Sequence, residues 1–446
     1  MLIRSTHLFA LPLVLWAGLA CANPPAGLIQ VFAAALAHNP DRQVMLANST
    51  VRDHQRRAAL GDLMPDISLN GSYDYRDEDI EGDFYALNDV DFSDDYDRNM
   101  FAIQLSQPLY EPALLASLDM ATLNVERARL ELTHFDDELV LSVAQAYFGV
   151  LAGEDAVRLR EAEIAKLTQQ LDQVRGLAEA GLQLEAEVMS AEASLAIAEA
   201  GLIRDQGLLE AAFAKLDAVT GQRFRDLRKL PSGMVISEPD PPTIEPWVEH
   251  ARSQNLSVVL AQIDTQLSQL GAKRVRGTQM PSVRLLGGVH RLDTDGGAAG
   301  ERTEHEARIG VNVSWSLPSL ASQGRLAAAR ADEDRANAAL LSARAEAEHQ
   351  VKLAFTTLRA AYAQVPAYQK AVKAARAAEQ AMDAGYRAGT RTNDDTLSAI
   401  AARYDAERRF SSTRYEYMLA SLRLSAAAGL LSNAALAPFD RLLNSR

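Results

Sequence analysis

The chain has 446 residues, 48% of them apolar, and a formal charge of −14 at pH 7. That acidity argues against a nucleic-acid partner, because binding phosphates needs a basic stripe. Cys21 is the one cysteine, so no disulfide can form within the chain, and no apolar run beyond residue 22 approaches the ~20 residues of a membrane helix. If the mature chain crosses a membrane, it does so with strands.

Residues 1–22 read as a signal peptide, with Arg4 as the positive region, Leu8 to Leu19 as the apolar core and Ala20-Cys21-Ala22 as the cleavage site. Asn23 then begins the mature chain; a rival reading makes Cys21 the acylated first residue of a lipoprotein. Helical composition and spacing predict a helix near 28–64, followed by Met64-Pro65 and a strand. In that strand Ile67, Leu69, Gly71, Tyr73 and Tyr75 alternate with polar residues. The stretch from Asp77 to Asp97 holds ten acidic residues and no Lys or Arg, and reads as a solvated outer loop. It lacks the spacing of a calcium loop. Phe101, Ile103 and Leu105 mark a second strand, which closes a hairpin over 66–107.

No proline occurs between Pro112 and Pro231, and Ala, Leu, Glu, Arg and Gln dominate, which predicts helices over 112–178 and 184–220. Residues 221–245, rich in proline, form a linker. A helix near 246–279 follows, then Met280-Pro281 and a second hairpin over 282–317. Its strands carry Val283, Leu285, Gly287 and Val289, then Ile309, Val311, Val313, Trp315 and Leu317. Helices over 319–387 and 393–430 complete the chain, and Pro366 is expected to bend the first of them.

This succession is one unit written twice. Met64-Pro65 and Met280-Pro281 stand 216 residues apart, and the turn glycines Gly181 and Gly389 stand 208 apart. The helical stripe Leu340, Ala343, Ala347, Val351, Ala354, Leu358, Ala361 and Val365, moved back by 208, falls on Leu132, Phe135, Leu139, Val143, Ala146, Val150, Gly153 and Val157. Each position is apolar or glycine. The expected domains are therefore a first repeat over 23–230, the inter-repeat linker, and a second repeat over 246–446. Each strand has about the 9–11 residues that cross a bilayer. Four strands cannot close on themselves, since membrane barrels begin at about eight, so two or three chains must pool their hairpins. At 1.5 Å per residue the helix over 112–178 spans roughly 100 Å, and those over 28–64 and 184–220 roughly 55 Å each. Two shorter helices end to end thus match one long one, giving helical columns beneath the strands. The fold class is mainly α with transmembrane β.

The segment Ala381 to Leu397, AMDAGYRAGTRTNDDTL, with Tyr404, Arg414, Tyr415, Tyr417 and Gly429, closely resembles the TolC family of trimeric outer-membrane efflux and secretion channels. Asn39-Pro40 and Met64-Pro65 also fit that family. The resemblance implies a homotrimer with a 12-stranded β-barrel in the outer membrane and an α-helical barrel in the periplasm. It implies a periplasmic adaptor and an inner-membrane transporter as partners, in an efflux or type I secretion system, with no cofactor and no chemistry on the substrate.

It further implies a gate. Tyr386 and Arg391 match a tyrosine and an arginine that latch the periplasmic end, and Glu187 matches an aspartate they bind. Ala186 replaces a threonine of that latch. Asp395 matches one carboxylate of a pore constriction, where three like charges near one axis would attract cations and raise their own pKa values; Ser398 replaces the other. Gly181, Gly389, Thr390 and Thr392 are the turn residues expected to dock the adaptor. Independently of the family, Asp394 and Asp395 after Thr392-Asn393 suit a helix N-terminus.

Two rival functions are distinguishable. Glu131-x-x-His134 and Glu346-x-x-His349 have the spacing of di-iron bundle enzymes, but they lie 215 residues apart and are not partners under the repeat. A periplasmic coiled-coil adaptor predicts one hairpin, not two copies with strands inserted in each.

Overall fold

The computed structural model describes residues 25–84, 87–231, 236–297, 300–431 and 433–444. The expected signal peptide and the Cys21 alternative lie outside the described residues. The first repeat runs α1 (Leu28–His38), α2 (Pro40–Gly61), β1 (Asp66–Phe84), β2 (Leu87–Tyr110), α3 (Pro112–Glu179) and α4 (Glu185–Thr220). The second runs α5 (Glu245–Gln254), α6 (Leu256–Gly277), β3 (Ser282–Asp295), β4 (Arg302–Ser314), α7 (Leu320–Arg387) and α8 (Asn393–Ala427). A short 3-10 turn and α9 (Ala437–Asn444) come last, neither expected from the sequence. Among the described residues no helix is long and apolar enough to cross a membrane.

The repeat holds at the ends of the long helices. Both ends of α7 lie 208 positions after those of α3, and both ends of α6 lie 216 after those of α2. α1, α2 and α4, with 11, 22 and 36 residues, together run as far as the 68 residues of α3. α7 continues through Pro366, which has no N–H to return to the carbonyl of Tyr362.

The single helices expected over 28–64 and 246–279 are each two. Asn39 and Asn255 are extended, end one helix and cap the next, accepting from the N–H groups of Arg42 and Ser257. Their amide nitrogens cross to the carbonyls of Val219 and Ala427, at 2.9 and 3.0 Å. The same asparagine therefore breaks one column and ties it to the next. Gly221 and Gly429 sit at these crossings with φ of 66° and 73°. A Cβ there would lie 2.8 Å from the His38 carbonyl oxygen and 2.6 Å from that of Gln254. α8 stops at Ala427, short of 430, because Gly429 turns left-handed and Leu430 N–H closes back on Ser425.

The four strands form one antiparallel sheet in the order β1-β2-β3-β4. The register aligns Leu69, Ile103, Val289 and Ala307 in one row, and Ile67, Leu105, Gly287 and Ile309 in the next. One face of the sheet is thus apolar and exposed, with Ile309 at 81% and Leu69 at 73%. Tyr73 and Tyr75 border that band at one end and Trp315, donating to the Gln279 carbonyl, at the other. This is the aromatic edging of a lipid-facing surface. β4 ends at Ser314, so Trp315 and Leu317 lie past the strand expected to include them.

Among its described residues the acidic stretch is strand rather than loop. β1 and β2 stay paired through it, with Asp77 opposite Asp95 and Glu78 opposite Asp94. Backbone bonding begun in the apolar band propagates outward, and the many carboxylates of the stretch hid the strands in its composition.

The main core lies at mid-height of the helical part. Tyr147 and Phe148 of α3 are fully buried there, packed edge to face with ring centroids 5.7 Å apart. The Tyr147 hydroxyl donates to the carbonyls of Ala26 and Arg228, binding the start of the described chain to the linker. A second core near the far helix ends contains Leu171, Val174, Val188, Tyr386, Leu397 and Ile400.

Gly221→Ala and Gly429→Ala each force an L side chain into the left-handed region and are expected to cost about 1–2 kcal/mol before any clash. A lowered thermal unfolding midpoint of the detergent-solubilised protein measures it; Gly149→Ala, where nothing stands within 4 Å of the new Cβ, is the control.

Candidate functional site: the paired helical turns

α3 passes to α4, and α7 to α8, by turns of the same design. Gly181 and Gly389 have φ of 74° and 73°. Leu182 N–H bonds the Leu177 carbonyl and Thr390 N–H that of Gly385, each at 2.9 Å. Glycine is required because these helix ends turn left-handed.

The two turns then diverge. Thr392 caps α8: its hydroxyl accepts from Asp395 N–H at 3.2 Å, and the Asp395 carboxylate accepts from Thr392 N–H at 3.1 Å. That backbone bond, then the Thr392 hydroxyl, holds the Asp395 pKa below its ordinary value. A carboxyl depressed in this way stabilises the fold above its unfolded pKa and loses that effect as pH falls through the folded one. Within one chain the cap therefore pulls against the upward shift expected from three like charges. Leu184, the residue before α4, offers no side-chain cap. Its first-turn Glu187 is met instead by Gln183, whose amide nitrogen, turned toward it, donates to both carboxylate oxygens at 3.2 and 3.0 Å.

Tyr386 is buried beside these two residues, and its hydroxyl has no hydrogen-bond partner among the described residues. Burial, then the Glu187 charge, raises its pKa, and Gln183 opposes the rise. Tyr386 and Glu187 are thus brought together. Arg391 is not: it is exposed, makes no ion pair among the described residues, and reaches Asp395 only as a nearby charge. Its stem lies across Gly385, where a Cβ would meet Arg391 Cγ at 2.6 Å.

Sequence reasoning missed the residues that join the two turns. Asn393 is fully buried; its side-chain oxygen accepts from Gln170 of α3 at 2.9 Å and its nitrogen donates to the Glu187 carbonyl at 3.2 Å. Ser190 of α4 donates to Asp394 at 2.8 Å. Further along, Tyr404 donates to the Ala162 carbonyl at 2.9 Å and Arg408 to Glu163 at 2.7 Å. Glu163 also holds Arg160, which binds Asp205 and lies against Gly201. On the other hairpin Arg403 links Glu379 and Glu407. Burial opposes the charge of Asp155, but hydrogen bonds from Ser411, Arg158 and Tyr415 hold its pKa below the ordinary value. Tyr404 and Tyr415 stood out in the family resemblance, but for the other ties the sequence signal was polar residues at helical spacing beside apolar stripes. The rival metal ligands are engaged otherwise: Glu131 pairs with Arg127, and Glu346 accepts from Gln350.

A family model described as outer membrane efflux protein matches residues 31–222 and 247–430, once for each repeat. The chain is 29% identical over 383 residues to outer membrane protein TolC of Vibrio cholerae, covering 83% of each. It is 23% identical over 422 residues to the alkaline protease secretion protein AprF of Pseudomonas aeruginosa, covering 92% of this chain and 85% of that one. The crystal structure of the outer membrane protein VceC from Vibrio cholerae superposes with a TM-score of 0.76 at 18% identity, over 90% of this chain and 96% of that one.

Asn393→Leu strands the Gln170 amide in the core and is expected to cost about 1–3 kcal/mol, the usual penalty for an unsatisfied buried polar group. Adding Gln170→Leu should recover part of that loss, which a double-mutant cycle on thermal unfolding reads directly.

Proposed function

This chain belongs to the outer membrane efflux protein family and is an outer-membrane channel rather than an enzyme, and we propose that three copies of it form the exit duct of a tripartite efflux or type I secretion system. The observation that carries the reading is the four-stranded sheet, apolar on one exposed face, whose outer strands β1 and β4 have no further strand beside them among the described residues. Lipid supplies no hydrogen bonds, so those edges need strands from other copies, and three copies supply twelve. The helical columns continue below as a tube. An adaptor in the periplasm docks at the turns around Gly181, Gly389, Thr390 and Thr392, and an inner-membrane transporter feeds the duct. The duct does no chemistry on its cargo, so cargo choice rests with the transporter.

Closure is assigned to the same turns. Tyr386 and Glu187 form the half of the latch made within a chain; Arg391, which makes no ion pair among the described residues of its own chain, takes its partner from a neighbour. Asp395 narrows the pore, and its cap keeps the carboxylate charged at neutral pH.

Unheated outer-membrane extracts should show a three-chain species that heating converts to single chains; a soluble monomer rejects the duct. In planar bilayers Asp395→Asn, which keeps a cap acceptor but loses the charge, should reduce cation selectivity, and Arg391→Ser should raise open probability. Unchanged currents in both variants reject these gate roles.

A further inference from the structure

On the three-chain reading of the duct, the ring has two kinds of seam between helical hairpins, one inside each chain and one between neighbours, and the chain displays only the first. The seam within the chain, α3 against α8, is polar. Asp155 accepts from Ser411 and from Tyr415, the latter at 3.0 Å, and Glu163 accepts from Arg408 at 2.7 Å. The repeat maps these positions, by 208, onto α7 and α4. There Asp155 and Glu163 become Ala363 and Ala371, while Arg408, Ser411 and Tyr415 become Ala200, Ile203 and Gly207. All five stand exposed in the single chain.

The grooves beside the seam repeat the same substitution. One is lined by Gln145 and Gly149 of α3 and Ala212 of α4, and closed by Glu416 of α8. Its copy is lined by Leu353 and Thr357 of α7 and Ala420 of α8, again 208 residues on, and no α4 residue closes it. The position equivalent to Glu416 is Leu208 on α4. Leu353 and Leu208 are 55% and 62% exposed. The polar pair Gln145 and Glu416 has thus become a pair of leucines, both left in water by one chain.

We propose that the seam between neighbouring chains, which exists only if the duct is built from several copies, is the apolar, small-residue counterpart of the polar seam within each, with Leu208 of one copy seated against Leu353 of the next. The occupant is a second copy because the chain's own α3–α8 contact supplies the template. Alanine and glycine let the helices approach closely, and these mapped positions hold no ion pair that must break when they slide.

The test is a Leu208→Cys, Leu353→Cys double variant in the outer membrane, treated with a short bismaleimide and run on a denaturing gel. The expected result is a shift from the one-chain band to two- and three-chain bands, absent from either single variant. An intact unheated trimer whose double variant yields no multi-chain band overturns the placement. A chain that never forms a trimer overturns the three-chain duct instead.

Discussion

Every peptide group in a bilayer must find its hydrogen-bond partner within protein, and the described residues of this chain leave two strands with one side unpaired. The rest of the architecture answers that deficit. A sheet with an apolar exterior and open edges at β1 and β4 is stable only when continued, so the chain is a segment of a larger wall. The helical columns hang from the same strands and inherit the same arrangement. The unit is doubled, and each copy is too small to enclose anything alone.

Continuity from strand to column depends on a few equatorial residues. Asn39 and Asn255 end one helix, start another and bond across to the neighbouring column. Gly221 and Gly429 let the backbones meet there, at positions where a side chain would strike a carbonyl oxygen. Below this level the two hairpins are held by buried or half-buried polar groups: Asn393 with Gln170, Glu163 with Arg408 and Arg160, Asp155 with Ser411 and Tyr415. Buried ion pairs are weak sources of net stability, because desolvation offsets attraction. They are strong determinants of register, since a shift of one helical turn strands charges out of water.

Much of this was legible in the residues. Alternation located the apolar parts of all four strands, and proline and helix-former composition bounded the long helices to within a few residues. The repeat offset carried each assignment from one half to the other. The breaks at Asn39 and Asn255 were not legible, because a helix interrupted for one residue keeps its apolar period on both sides. The acidic extension of the first hairpin was read as a loop because its carboxylates outnumber the few apolar positions, such as Ile80 opposite Phe92, that continue the alternation. At the turns the TRTND motif marked α8's capped start, and Thr392 and Asp395 form the reciprocal cap such spacing permits.

The sequence by itself determined the period of every element, the two-fold repeat and the impossibility of one chain closing its own barrel, because these come from local spacing and from counting strands. Only the tertiary structure decided which polar residues meet. Asn393 with Gln170, Gln183 with Glu187, and Arg391 left without an ion pair among the described residues are facts about approach in space, between residues up to 223 positions apart. Hydrogen bonds depend on a few tenths of an ångström and on direction, and neither is written in the order of residues along a helix.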